Sequence, residues 1–499
     1  MPALSALRPE RNRPHRLADL CDRLGRPAPD SDVSVSGVTH DSRAVRPGEL
    51  YAALPGARTH GARFAGDAVT RGAVAVLTDP AGQALTALSG VPVVIVDRPR
   101  DVLGDVSAWV YDDPSAGLMV IGVTGTNGKT TVAHLLEGGL RAAGHRTGLI
   151  GTIDTRIAGD SVPSLRTTPE ATDLQALFAV MRERGVTAVA MEASSHALTL
   201  GRVAGTRFAA GLFTNLSQDH LDFHGDLESY FAAKALLFDG RCRYEVVNVD
   251  DGYGRRLVGP ATVTVSAAGQ VGAAWRAAGI TPSPAGGSAY TVLGPDGRYG
   301  ATVPSPGEFS VANALLATAA LVTLGVPPAD AVRGIAGVDI PGRMEKVSRG
   351  QGFLAVVDYA HTAEAITNAL HALRPMTRGR LIIVIGAGGD RDREKRPLMG
   401  QAAARGADLV IVTDDNPRSE DPATVREAVA SGARAAGGAR VLTIAGRRAA
   451  LAAAVAAAGP GDTVLVAGKG HEQGQEVAGV VHPFDDRQVL ADLLAGVSP

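Results

Sequence analysis

The sequence predicts an α/β protein of three domains in series, on three observations. Short apolar runs recur along the chain, each followed by a polar or Gly-rich loop and then a helical pattern, the grammar of a parallel sheet with crossover helices. One of these strands runs straight into Gly125-Thr126-Asn127-Gly128-Lys129-Thr130, the composition of a phosphate-binding loop. The length of 499 residues exceeds one ordinary core; at about 100–200 residues per domain it implies roughly three. The expected division is 1–116, 117–341 and 342–499. The central domain reads as a P-loop ATPase-like parallel sheet with helices and the C-terminal domain as Rossmann-like.

In the first domain Val33–Val38, Leu50–Leu54, Val74–Leu77 and Val91–Val96 read as strands, with Leu17–Leu24 as a helix between turns. The text changes at Leu118. Leu118–Val123, Val186–Met191 and Ala209–Thr214 are apolar enough for buried parallel strands, and Thr131–Ala143 reads as the helix after the phosphate loop. Gly269–Gly300, rich in Gly, Ala, Pro and Ser, reads as a turn-heavy excursion outside the core, and Val311–Leu324 as a helix. Beyond Gly342 the strands Leu354–Val357, Leu381–Ile385, Leu409–Thr413, Val441–Ile444 and Thr463–Ala467 alternate with Ala-rich helices.

Composition narrows the function classes. Hydrophobic residues at 45% and charged residues at 20% describe a globular chain. No stretch approaches the ~18 uninterrupted apolar residues of a membrane span, and the Arg-bearing first sixteen residues have no apolar core of a secretory signal. A net charge of −2 and pI of 6.6 provide no basic field for nucleic acid. Cys21 and Cys242 match no metal spacing, so a cytoplasmic protein is expected.

The phosphate loop carries most of the information. A buried strand, a Gly-bearing turn and a helix aim successive N–H groups and the helix dipole at one point. Lys129 is then placed to reach the terminal phosphates and the Thr130 hydroxyl to ligate Mg²⁺. The spacing is a tighter variant, with glycines at 122 and 125 and Val123 where the usual motif has its first glycine. No asparagine is followed by lysine, so a guanine-reading motif is absent and ATP is the expected nucleotide. Glu192, at the end of Ala188–Met191, occupies the carboxyl edge where ligands bind in open α/β sheets, and is a second candidate Mg²⁺ ligand.

Four segments in order, Gly125–Thr130, Glu192-Ala193-Ser194-Ser195-His196, Thr214-Asn215-Leu216-Ser217-Gln218-Asp219-His220-Leu221-Asp222 and Asp358-Tyr359-Ala360-His361, resemble the Mur ligase family, ATP-dependent amide-forming enzymes of peptidoglycan precursor synthesis. Within it the chain is most similar to members that add diaminopimelate to UDP-N-acetylmuramoyl-alanyl-glutamate. The resemblance implies activation of a carboxylate as an acyl phosphate and its capture by an amine. It implies that Thr124, Gly125, Thr126, Asn127, Gly128, Lys129, Thr130, Asn313 and Arg343 bind ATP, and that Lys129, Glu192, His220, Lys234 and His361 serve catalysis. Mg²⁺ would be held by Thr130, Glu192 and Lys234. On pattern alone Lys234 is a solvated helix lysine; the resemblance implies a lysine carboxylated by CO₂. On pattern alone Asn313 is a helix N-cap. The family's Pro-Asp after His361 is replaced by Ala363-Glu364.

The resemblance further implies that the UDP-muramoyl dipeptide is held by His40, Ser42, Thr59, Thr167, Thr168, Ser194 and Arg202, with Leu200 where some relatives have glutamine. Diaminopimelate would be held by Arg391, Asp415, Asn416, Pro417, Arg418, Gly468 and Glu472, on three loops that each follow an apolar strand. A planar guanidinium at Arg418 suits the distal carboxylate, and a carboxylate at Glu472 suits the distal ammonium. Read without the resemblance, Asn416-Pro417 is a turn and Arg391–Arg396 a solvated charged run. The expected partners are small molecules, with no nucleic acid and no membrane insertion, acting on a monomer whose domains close over the substrates. A same-fold ligase with another acceptor, or a nucleotide-gated binding protein, are the competing classes.

Overall fold

The computed structural model describes residues 7–31, 33–56, 58–86, 89–163, 166–283 and 287–496. Ala57, two residues before Thr59, and residues 284–286, within Gly269–Gly300, lie outside them. The chain gathers into two compact units: Met1–Thr124 with Leu140–Phe213 and Ala233–Glu245, and Gly125–Gly139 with Thr214–Ala232 and Val246–Pro499.

The first unit opens with a parallel four-stranded sheet of β1 (Gly37–Thr39), β2 (Glu49–Ala52), β3 (Ala75–Thr78) and β4 (Val93–Ile95), in that order. Helix α1 (Pro99–Val110), with Pro at its first turn where no N–H is needed, contributes Leu103, Val106 and Val110 to a core shared with Leu50, Leu77 and Val94. The expected strand Val33–Val38 is two pieces: Ser34–Val35 pairs antiparallel with His15–Arg16, and the chain enters the main sheet only at Gly37. A side chain at Gly37 would meet the Glu49 carboxylate at 2.8 Å, so close approach fixes that residue.

The same unit holds a second set of strands: β5 (Met119–Thr124), β6 (Thr147–Ile150), β7 (Thr155–Ile157), β8 (Asp160–Val162), β9 (Ala188–Glu192) and β10 (Phe208–Phe213), with helix α3 (Ala171–Glu183) before β9. Helix α2 (Lys129–Ala142), which follows β5 in the chain, belongs up to Gly139 to the second unit. The order is β8-β7-β6-β9-β5-β10, parallel from β6 to β10 and antiparallel through β6-β7-β8. Met191, Val189, Val120, Leu174 and Phe178 pack in one cluster beside it. The carboxyl end of β5 delivers the chain into the phosphate loop, and β9 ends at Glu192 in register with Val123.

After helix α4 (Leu227–Ala235) comes β11 (Cys242–Asn248), whose residues from Val246 on belong to the second unit. There β11, β12 (Val263–Ser266) and β13 (Trp275–Pro282) pair parallel, and β14 (Ser288–Gly294) and β15 (Gly297–Val303) add antiparallel. The Gly269–Gly300 expectation is therefore corrected: most of its described residues are strand. Trp275, Tyr290 and Val292 are buried and β15 alternates exposed with half-buried positions. Period-2 alternation decides the structure there, and small residues hid it from a compositional reading. Helix α5 (Glu308–Thr323) is buried along most of its length.

The third sheet runs Glu345–Lys346, β16 (Leu354–Asp358), then β20, β17, β18 and β19, where β17 is Leu381–Ile385, β18 Leu409–Val412, β19 Arg440–Thr443 and β20 Thr463–Ala467. All but the short first strand are parallel. Helix α6 (Lys395–Gly406) follows β17, and α7 (Arg447–Ala457) follows β19. β17 is fully buried, Leu-Ile-Ile-Val-Ile, as a strand covered on both faces must be. Because β20 inserts between β16 and β17, the carboxyl ends of β16, β20, β17 and β18 form one edge. The hairpin β21 (Gly474–Val477) and β22 (Val480–Pro483), with helix α8 (Asp486–Leu494), completes the chain. That hairpin, half-buried or exposed throughout, has no apolar period and is invisible to hydrophobic pattern.

Candidate active site

The phosphate loop is glycine-dependent at two points. Gly125 has φ +146° and a side chain there would collide with Thr214 Oγ1; Gly128 has φ +87° and would collide with Asn313 Oδ1. The loop is tied to Thr214–Ser217: Thr126 N donates to Asn215 O at 2.9 Å, Asn127 N to Asn215 Oδ1 at 2.9 Å, and Thr214 Oγ1 to Asn127 O at 2.6 Å. Lys129 Nζ donates to the carbonyls of Gly125 and Thr126, both at 2.9 Å, so its ammonium sits inside the loop. Pattern alone makes Asn313 a helix N-cap, and the structure corrects this. Helix α5 starts at Glu308, so Asn313 lies inside it and its amide rests against Gly128.

Arg343 reaches this loop, donating from Nη2 to Thr130 Oγ1 at 3.1 Å while its guanidinium lies 4.4 Å from the Tyr359 ring centroid. The Tyr359 ring also tilts against His471, 5.1 Å between centroids. Burial, with the charges of Arg343 and Arg487, pushes His471 down to about 3, leaving it neutral at pH 7. Asp358 accepts from Met344 N and Ala360 N, which fixes the turn carrying Arg343; burial pushes its carboxyl up.

His220 and His361 converge on Asp219. Their Nε2 atoms lie 3.4 and 3.7 Å from its Oδ2, and Lys395 Nζ donates to its Oδ1 at 3.2 Å. Burial opposes ionisation of Asp219, but the neighbouring His361 and the Lys395 charge outweigh it and hold the carboxyl well below the usual range. Lys395 was missed because it stands in Arg391–Arg396, which reads as a solvated run. In the fold Lys395 and Arg396 are buried, and Arg396 is bidentate to Glu420 at 2.7 and 3.0 Å. Asn127 Nδ2 donates to Glu364 Oε2 at 3.1 Å, so the residue that departs from the family pattern contacts the loop.

A second cluster lies in the first unit. Glu192, fully buried, accepts from Thr152 N at 2.7 Å and Thr152 Oγ1 at 3.2 Å, and Thr152 Oγ1 meets Thr167 Oγ1 at 2.9 Å. Thr168 Oγ1 donates to Glu192 O at 2.8 Å and lies 3.3 Å from Ser194 Oγ, which caps the helix Ser195–Thr199. Arg202, Arg166 and Arg100 all reach Glu170, at 2.9, 3.2 and 3.3 Å. Several guanidiniums around one carboxylate leave an excess of positive charge fit for an anion. Farther along this unit, His40 Nδ1 meets Thr172 Oγ1 at 3.0 Å, and Ser42 hydrogen-bonds Tyr51, whose hydroxyl burial pushes up to about 12. Thr59 is exposed on its loop. Lys234 is 1% exposed, which overturns the solvated reading of that position.

The loops at the carboxyl edge of the third sheet bring together most of the residues expected to hold the amine. Asn416 Nδ2 donates to Glu472 Oε2 at 2.9 Å. Arg418, in left-handed backbone with φ +53°, donates from Nη1 to Gly389 O at 2.7 Å and lies 3.2 Å through Nε from Glu476 Oε2. The Gly386–Asp390 backbone packs so closely here that a side chain on Gly389 would run into Pro417 O. Gly468 abuts the Asp415 carboxylate, and Gly388 lies against both Arg418 and Arg391, the latter exposed. Beneath the loops Arg447, wholly buried, pairs with Asp486 through two 2.7 Å bonds and donates to Ala467 O at 2.9 Å. Neither partner stands in a motif, so sequence gave no sign of this pair.

Thr130 and Glu192 are hard oxygen donors of the kind Mg²⁺ accepts beside phosphate. Within the second unit the Lys129 ammonium sits inside the loop, and within the first several arginines gather on Glu170. Comparison with known proteins places the chain in a family. The Mur ligase family catalytic domain profile matches residues 34–111, the Mur ligase middle domain 123–321, and the Mur ligase glutamate ligase domain 342–470. The chain is 55% identical to the UDP-N-acetylmuramoyl-L-alanyl-D-glutamate--2,6-diaminopimelate ligase of Streptomyces coelicolor, covering 98% of both chains. It is 51% identical to the enzyme of that name from Corynebacterium efficiens, covering 94% of this chain and 91% of that one. A solved structure of a ligase of that name is 33% identical with a TM-score of 0.67, covering 95% and 98%. The chain is a member of the Mur ligase family.

Proposed function

We propose that this chain is the ATP-dependent, ADP-forming ligase that adds diaminopimelate to the D-glutamate of UDP-N-acetylmuramoyl-L-alanyl-D-glutamate in peptidoglycan precursor synthesis. The observation that carries the reading is the gathering of Asn416, Arg418 and Glu472 at one sheet edge, opposite charges for the two charges of an amino-acid head. Relatives named for this activity, matched over nearly their whole length, support it.

The acceptor carboxylate attacks the γ-phosphorus of ATP; its oxygen–phosphorus bond forms as the bond to the ADP oxygen breaks. The amine, having lost a proton, then attacks the acyl carbon and phosphate leaves. Lys129 and the loop N–H groups neutralise the phosphates, and Arg343 supplies a second cation on the same loop. The arginines around Glu170 suit the carboxylate-bearing dipeptide, with Thr167, Thr168 and Ser194 as its polar contacts and His40, Ser42 and Thr59 serving the UDP end. His220 and His361 act through Asp219, whose charge His361 and Lys395 together stabilise.

Mg²⁺ would be held by Thr130, Glu192 and Lys234, and would neutralise charge on the phosphoryl oxygens. A buried lysine sheds its charge readily, which suits carboxylation of Lys234 by CO₂ to a carbamate, an oxygen donor. The reading includes domains at 1–116, 117–341 and 342–499, a monomer and a cytoplasmic location. Among the described residues no helix is long and apolar enough to cross a membrane.

The test is phosphate release from ATP with the muramoyl dipeptide nucleotide, offering meso- and LL-diaminopimelate and lysine in turn. Release with a new peptide product on diaminopimelate is expected. No ATP consumption, or a phosphorylated end product without a peptide link, overturns the reading.

A further inference from the structure

Lys469 has a fully buried side chain at the floor of the amine loops, beneath Glu472, which is 31% exposed. Its Nζ donates to Glu472 Oε2 at 2.9 Å and to Asn416 Oδ1 at 3.0 Å, with Asp415 Oδ1 at 3.7 Å. A buried ammonium is costly unless its N–H groups find acceptors, and three donors here face three acceptor groups. Asn416 is fixed in turn. Its Oδ1 also accepts from Glu476 N at 3.0 Å, which forces Nδ2 toward Glu472 Oε2. One oxygen of Glu472 is thus held from behind by an ammonium and an amide, and the carboxylate faces outward in a set orientation.

We propose that Lys469 is a built-in counter-ion that positions Glu472 for the distal ammonium of the amine substrate, making it a specificity-determining residue. This rests on the function proposed above. Charge supports it: Asp415 and Glu472 against Lys469 leave one negative charge, matching one incoming ammonium. Arg447, the next cation beneath, is neutralised by Asp486. Without Lys469, Asp415 and Glu472 repel, and Glu472 turns toward water.

The experiment compares diaminopimelate with 2-aminopimelate, which keeps the reacting amine and the distal carboxylate but lacks the distal ammonium. Wild-type enzyme should prefer diaminopimelate in kcat/KM. Lys469→Met should cut that preference by about tenfold or more, through KM, as loss of a buried charge partner does. The preference for diaminopimelate over lysine, set by Arg418, and the KM for ATP should hold. Lys469→Gln, which retains a donor without the charge, should fall between, and it decides the matter by the same ratio if the Met variant does not fold. A folded variant that loses activity equally on both pimelates overturns the inference, because a merely structural lysine would do that. Wild-type protein making no peptide from diaminopimelate overturns the parent reading, and this one with it.

Discussion

At the residue scale the phosphate loop leaves little freedom. Gly128 combines positive φ with contact against Asn313, so Gly128→Ala brings both backbone strain and a collision. Lys129 is the cation inside the same loop. Replacing it with alanine should lower kcat by about 10²–10³-fold, the scale of losing one preorganised charge at a transition state, read as ATP-dependent phosphate release. Arg418 belongs to the same scale. Arg418→Ala should raise KM for diaminopimelate far more than for lysine, and equal losses for both amines would remove its assigned role. Sequence singled out Gly128, Lys129 and Arg418 because they stand in motifs. It did not mark Lys469 or Lys395, since a lysine in a polar loop looks the same whether solvated or buried.

At the scale of elements two ion pairs hold the third sheet's loops. Arg447 at the start of α7 and Asp486 at the start of α8 are both fully buried. Asp486→Ala would strand the guanidinium and should cost about 3–5 kcal/mol, measured by urea unfolding. Arg396 of α6 holds Glu420 down to about 2 through its paired hydrogen bonds. Because the folded value lies below the ordinary one of 4.5, this pair's stabilisation is complete above pH 4.5, shrinks as pH falls, and is gone below about 2. Arg396→Gln should therefore unfold at lower urea than wild type at pH 7, and the gap should narrow toward pH 2.5. The elements themselves were legible where hydrophobic period was strong, as in β5, β9 and β17. The β13–β15 strands were not, because small residues there carry the alternation without the hydrophobicity.

At the scale of the molecule, ligand binding and stability are one quantity. A nucleotide that binds the folded loop alone adds about 2.7 kcal/mol at a hundredfold excess over its Kd. Mg·ATP should raise the calorimetric Tm of wild type and leave Lys129→Ala unchanged. The chain's fold class and its family were determined by sequence alone, because periodicity and short motifs are local properties of the polypeptide. Tertiary structure decided which charges are paired. Asp219 collects His220, His361 and Lys395, Glu170 collects three arginines, and Lys469 lies beneath Glu472. These partners are distant in the chain or differ only in burial, and what a charge does in a protein depends on the neighbours and water that folding leaves around it.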